Sequence, residues 1–341
     1  MIESVIRKYQ ELKTHPDTMN KLTDNKRLFL ATMIAGMSPE QEKRYWETAA
    51  EIDRTASSDS ELKRMRHIAA AFLTRGRYSP NQTIGIYQEV EQTVKEHRLS
   101  RFLSSTQVVI TVLLTLQQMS SDTGIDPDDR VTRLLAVYRE WRKRHRFLTS
   151  GRLLPLMTIA VGLHPNKRPA DLVDDVENGY RQLVGLGMPK TEDTVRFAWA
   201  LLWSRREPVE VQRLHGLWLQ SFKENKFLKS GVIKQAQTLS LLGIEPDHAL
   251  DVILYRFHLL NRDSQFRWHS RYALLHPAVQ SFLRDYRNEQ QHSELQLTLY
   301  AEASQYQGLE TFDLILLEGA LAGISSSGFD SSDGSDGGGG E

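Results

Sequence analysis

Apolar and polar residues alternate along this chain with a helical period, and they do so in blocks. Six apolar runs, Leu28–Met37, Ile68–Leu73, Val108–Leu116, Leu153–Leu163, Val195–Trp203 and Val232–Leu242, each precede a proline: Pro39, Pro80, Pro127, Pro169, Pro208 and Pro246. The prolines stand 41, 47, 42, 39 and 38 residues apart. Six to eleven residues after each comes an aromatic: Tyr45, Tyr87, Tyr138, Tyr180, Trp218 and Tyr255. Proline suits the first position of a helix, where its missing N–H has no intrahelical partner. Ser38, Ser79 and Asp126 before it can cap the first turn through a side-chain oxygen. Downstream of Pro169, the residues Val173, Val176, Tyr180 and Leu183 form one apolar stripe, and Val211, Leu214, Trp218 and Phe222 repeat it after Pro208. The segment before Pro169, LLPLMTIAVGL, is apolar nearly all round, as a helix covered on both sides should be.

This pattern predicts an all-α helical-hairpin repeat array, an α-solenoid or superhelical bundle. Its unit is an apolar helix, a short loop, a capped proline and an amphipathic helix, used about six times. Residues 1–324 form one domain in this reading. The segment from Trp268 through Pro277 is expected to be less regular, and a last helix over about Glu294–Gly323 caps the array. A further echo keeps the register: Phe147-Leu148-Thr149-Ser150-Gly151 recurs as Phe227-Leu228-Lys229-Ser230-Gly231, where the serines suit helix caps. Gly185-Leu186-Gly187 reads as a helix stop.

Composition narrows the chemistry. Among 341 residues there is no cysteine, which excludes disulfides, thiolate metal sites and a cysteine nucleophile. The 43 basic and 43 acidic residues balance, which argues against a chain built mainly to hold a polyanion. The balance is uneven, however. Residues 325–341, SSSGFDSSDGSDGGGGE, carry four acids and no base, so 1–324 hold a surplus of four positive charges. That Ser/Gly/Asp-rich end is expected to be a disordered tail, since it has too little apolar surface to offset ordering. The longest apolar stretches run 9 and 11 residues, short of the roughly 18–20 a spanning helix needs. With no export signal near the start, a cytoplasmic location without membrane contact is expected.

The Phe-Leu-Thr-Ser run at 147–150, the apolar helix after it, and the Asp-x-x-Asp…Gly-Tyr-x-x-Leu run from Asp171 to Leu183 carry a resemblance. With the near-40-residue spacing and the Ser/Gly end, the chain resembles a bacterial, mainly Bacillota-type family of helical proteins known as domain of unknown function four thousand and three. The likeness covers roughly residues 5–320. It implies the all-helical fold and brings no activity, cofactor or catalytic residue. Gly151-Arg152 departs from the acidic residues the family pattern has there, and no site is carried over.

Two basic clusters are the candidate anion or partner surface. Arg139, Arg142, Lys143, Arg144 and Arg146 surround Trp141, and Arg262, Arg267 and Arg271 surround Trp268. Cations with an interleaved aromatic could neutralise phosphates and stack a base, but cations at the end of a helix also complement its dipole. The second explanation is preferred, and nucleic acid is not expected. Asp171, Asp174, Asp175 and Glu177 crowd the first turns of one helix, which the dipole equally explains. Glu-x-x-His occurs at Glu245–His248 and Glu289–His292, the pairing a di-iron bundle uses twice, but Glu245 precedes Pro246, so that pair straddles a helix start and does not share one helical face. No nucleophile elbow, phosphate loop or zinc-protease motif is present, so no catalytic residue, cofactor or metal is assigned. The expectation is a non-enzymatic module that binds a protein or peptide. An inter-helix pocket for a small molecule, or weak nucleic-acid binding, are the alternatives.

Overall fold

The computed structural model describes residues 2–18, 22–74, 79–96, 127–146, 153–204, 206–227 and 230–292, with 108, 109, 111–113 and 115 between them. Every regular element among these is helical. In chain order they are α1 (Ile2–Thr14), α2 (Asp24–Ile34), α3 (Pro39–Thr55), α4 (Glu61–Arg64), α5 (Arg66–Leu73) and α6 (Pro80–Glu96). Then follow α7 (Pro127–Arg144), α8 (Leu154–Leu163), α9 (Pro169–Gly185), α10 (Glu192–Ser204) and α11 (Pro208–Glu224). Finally come α12 (Ser230–Leu241), α13 (Pro246–Arg262), a 3-10 turn (Ser264–Phe266) and α14 (Arg271–His292).

All six prolines open a helix, as the pattern predicts. Ser38 makes a full capping box with Gln41, and Ser79 accepts from the Gln82 amide at 3.4 Å. Arg168, Glu207 and Glu245 precede their prolines without side-chain caps, so there the fixed φ of proline starts the helix alone. Gly187 (φ 95°) and Gly243 (φ 70°) end helices in the left-handed region. Met188 N–H reaches the Leu183 carbonyl at 3.1 Å, and Ile244 N–H reaches that of Leu239 at 3.0 Å, the hydrogen bonding of a Schellman stop.

The division of labour between helices follows the pattern too. Residues 27–34 of α2 and 66–73 of α5 are buried on every side, while α9 buries Leu172, Val173, Val176, Tyr180 and Leu183 on one stripe. The pairing differs from the predicted unit. Five amphipathic helices pack closely on the apolar helix after them: α3 on α5, α7 on α8, α9 on α10, α11 on α12 and α13 on α14. The prolines therefore mark junctions between hairpins. The reason is geometric: a four-residue link such as 242–245 is enough to move the chain from the inner layer to the outer one.

The amphipathic helices α3, α6, α7, α9, α11 and α13 succeed one another as an outer layer, and α8, α10, α12 and α14 as an inner one. The circuit then closes, in place of an open solenoid. Helix α14 packs on α1 and α2. Arg284 donates to the Met33 carbonyl at 3.2 Å across 251 residues of sequence. Phe29 stacks on His276 at 5.6 Å, and Tyr9 meets Phe266 at 4.8 Å. Helix α1 continues the outer layer through a 2.6 Å ion pair from Lys8 to Glu42 of α3. Closure removes the exposed terminal faces that an open array must cap.

The segment from Trp268 through Pro277, expected to be less regular, instead enters at Arg271 a helix of 22 residues that runs to His292 with Pro277 inside it. An interior proline costs about 3 kcal/mol. Here Leu274, Leu275, Ala278 and Val279 around it are all buried, and that packing outweighs the lost hydrogen bond. The echo at 147–151, the expected last helix over 294–323 and the tail 325–341 lie outside the described residues. No described helix is long and apolar enough to cross a membrane.

Candidate functional site

The first basic cluster ends α7 and the second follows α13; in the outer layer α9 and α11 stand between these helices, and the two clusters differ in construction.

The first cluster ends α7. Val131, Leu134, Tyr138 and Trp141 are spaced three, four and three residues apart, and all are buried. Trp141 is 0 % exposed, which corrects its assignment to a partner surface. The helical period carries it inward, where it meets Trp199 edge-on at 5.5 Å and stacks under His145 at 4.2 Å. Arg144 is bound too, pairing with Glu140 at 2.9 Å, with Glu177 at 3.2 Å and with Asp174. Hydrogen bonds from Arg144 and Arg181 hold the Glu177 carboxyl below its usual range against the opposing effect of burial. Burial lowers the His145 imidazole. The acids at the start of α9 thus find bases: Asp171 pairs with Arg168, Asp175 with Lys167, and Asp174 and Glu177 with Arg144. Arg139, Arg142, Lys143 and Arg146 remain on the exposed side.

The second cluster forms the corner between α13 and α14. Asp263 accepts from the Gln265 amide at 2.9 Å and so turns the chain. Phe266 is buried at 1 % exposure, and the His269 ring lies 5.6 Å from both Tyr9 and Phe266. With both flanking rings held inward, Trp268 is left outside at 80 % exposure. Arg267 lies 4.9 Å over its ring, a cation–π arrangement. Arg271 lies over Phe227 at 4.9 Å and donates to the Asn225 carbonyl at the end of α11. Among the described residues, no carboxylate comes within ion-pair distance of Arg262, Arg267 or Arg271.

The period breaks at this corner. Tyr45, Tyr87, Tyr138, Tyr180 and Trp218 are buried, but Tyr255 is 63 % exposed. Ile253, Phe257 and Leu260 take the inward stripe of α13, so Tyr255 falls on the opposite face. The spacing of those three residues already carries that signal, which the proline-to-aromatic interval hides. Tyr255, Arg262 and Trp268 are thus presented outward from one helix and the turn after it. Lys226, beside Asn225, holds a left-handed backbone (φ 63°) where Gly187 and Gly243 stand in the equivalent turns.

A separate cleft of about 500 Å³ lies between the end of α3, α4 and α6. Glu61, Glu91, Lys95 and Tyr87 line it, over Leu62, Val108 and Val109. The Tyr87 hydroxyl is buried without a hydrogen-bond partner, and burial first, then Glu91 and Glu61, drives its phenol up. Glu91 is engaged by Lys95 at 3.2 Å and Glu61 by Arg64 at 3.5 Å. No group of three or more His, Asp or Glu side chains able to hold a metal occurs among the described residues.

Comparison of the chain with models of known protein families, with curated proteins and with solved structures finds no match in any of the three.

Proposed function

We propose that this protein is a non-enzymatic interaction module of the cytoplasm. Its contact surface is the corner between α13 and α14, and it takes a protein segment that is acidic and carries an aromatic side chain. One observation carries the reading: Trp268 stands 80 % exposed with the Arg267 guanidinium 4.9 Å over its ring, on a corner where no described carboxylate pairs with Arg262, Arg267 or Arg271. Tryptophan, tyrosine and arginine dominate the residues that anchor protein interfaces. A rigid turn bearing them gives up little entropy on binding. The resemblance to the uncharacterised helical family adds no activity and is compatible with this role.

The test is a selection of random displayed peptides on the full chain. Enriched sequences should be acidic with an aromatic residue, and Trp268→Ala should abolish their binding. Enrichment that survives Trp268→Ala would place the contact elsewhere, and the cleft beside Tyr87 is then the next surface to probe.

A further inference from the structure

We infer that the chain's own acidic end, residues 325–341, occupies the α13–α14 corner and competes there with outside partners. This rests on the corner being a docking surface, and adds the identity of one occupant. The complementarity is chemical. The end carries Asp330, Asp333, Asp336 and Glu341 with no Lys or Arg, and Phe329 is its one large apolar residue. The corner offers Arg262, Arg267 and Arg271 around Trp268, with Lys223 and Lys226 exposed on the neighbouring α11 end. Phe329 against Trp268 supplies an aromatic contact, and the aspartates that follow meet the guanidiniums.

Reach and choice of site agree with this. Helix α14 starts at the corner and its 22 residues carry the chain about 33 Å away. Phe329 lies 37 residues beyond His292, a length that covers the distance in any conformation, since it spans about 55 Å as a helix and about 120 Å extended. The end can therefore return along α14 to where that helix began. The α7 cluster also combines cations with a tryptophan but is a poorer seat, because Asp174, Glu177 and Glu140 already hold Arg144 and Trp141 is buried. A tethered segment acts at an effective concentration in the millimolar range, so even a weak contact would hold the corner closed to a weak competitor.

The absence of cysteine makes the test clean. Spin labels are placed on full-length chain through Asn261→Cys at the corner and Ser332→Cys in the end, with Asn81→Cys at the start of α6, which packs on α3 and α7 and not on α13 or α14, as the reference site. A short, narrow 261–332 distance is expected, lost when Asp330, Asp333 and Asp336 become Asn and lost in high salt; the 81–332 pair should show no such population. A synthetic peptide of residues 325–341, added to the triple-Asn full chain, should bind through Trp268. It should bind about tenfold more weakly to the chain with its native end, which already fills the site. If the 261–332 distances are equally broad with and without the aspartates, the end does not dock. Should the added peptide still bind in a Trp268-dependent way, the corner stands and only this inference fails. If the peptide does not bind, or a single-stranded oligonucleotide binds in its place, both readings fall.

Discussion

Trp141 and Trp268 lie in stretches that look alike on paper, each a tryptophan among arginines, yet one is 0 % and the other 80 % exposed. The difference comes from phase. Trp141 completes a three-four-three spacing with Val131, Leu134 and Tyr138, so its helix delivers it to the core. Trp268 follows the 3-10 turn Ser264–Phe266, where no helical face assigns it a side. Its neighbours Phe266 and His269 claim the interior instead. The arginines follow their tryptophans. Around Trp141 the adjacent helix supplies carboxylates, and around Trp268 no carboxylate of the described residues is in reach.

The contrast is easiest to break on the buried side. Trp141→Ala should cost about 3–5 kcal/mol, measured by urea denaturation, since its ring packs on Trp199 and His145. A loss below about 1 kcal/mol would mean that α7 is not seated as described. Acid acts on the same buried side. Burial pushes the His215 imidazole, packed 5.2 Å from Phe197, down to about 4, below the roughly 6.5 of the unfolded chain. Between these values the unfolded state takes a proton that the folded state refuses. Stability is therefore complete above pH ~6.5 and falls by on the order of 1 kcal/mol per unit down to pH ~4. His215→Gln should flatten that part of a stability-versus-pH curve; an unchanged slope would show that His215 is accessible to solvent in the fold.

Smaller effects sharpen the exposed side. Lys226→Gly should stabilise by about 1 kcal/mol, because glycine adopts the left-handed backbone without steric cost; calorimetry showing destabilisation would mean that the lysine side chain supports the corner. Trp268→Ala should leave stability within about 0.5 kcal/mol while removing peptide binding. If it unfolds the protein, the exposed ring is part of the core and the proposed surface is lost.

Much of the fold was legible because helix starts are local. Pro169 and Pro208 set φ by their own ring, and Ser38 caps with a side chain three residues from its partner Gln41. The inward stripe of α9 follows from 3.6-residue periodicity alone. The hairpin phase was not legible, since a proline-marked link looks the same whether it joins two helices of a pair or two successive pairs. Helix α14 was missed because Pro277 argues locally against a helix, and only the burial of Leu274, Leu275, Ala278 and Val279 against other helices overrides it. For the candidate site, composition pointed to both arginine clusters but did not rank them. Tyr255 keeps the interval from proline of the buried aromatics, but Ile253, Phe257 and Leu260 hold the inward phase and leave it exposed.

By itself, the sequence determined the helices, their amphipathic or all-apolar character and the points where they begin, because capping, proline geometry and hydrophobic period act within a few residues. The tertiary structure alone decided that the array closes, through contacts such as Arg284 to the Met33 carbonyl across 251 positions. It also decided which arginines meet carboxylates and which tryptophan faces outward. Those outcomes depend on neighbours that arrive from remote parts of the chain, and no local rule specifies which surface a distant helix will cover.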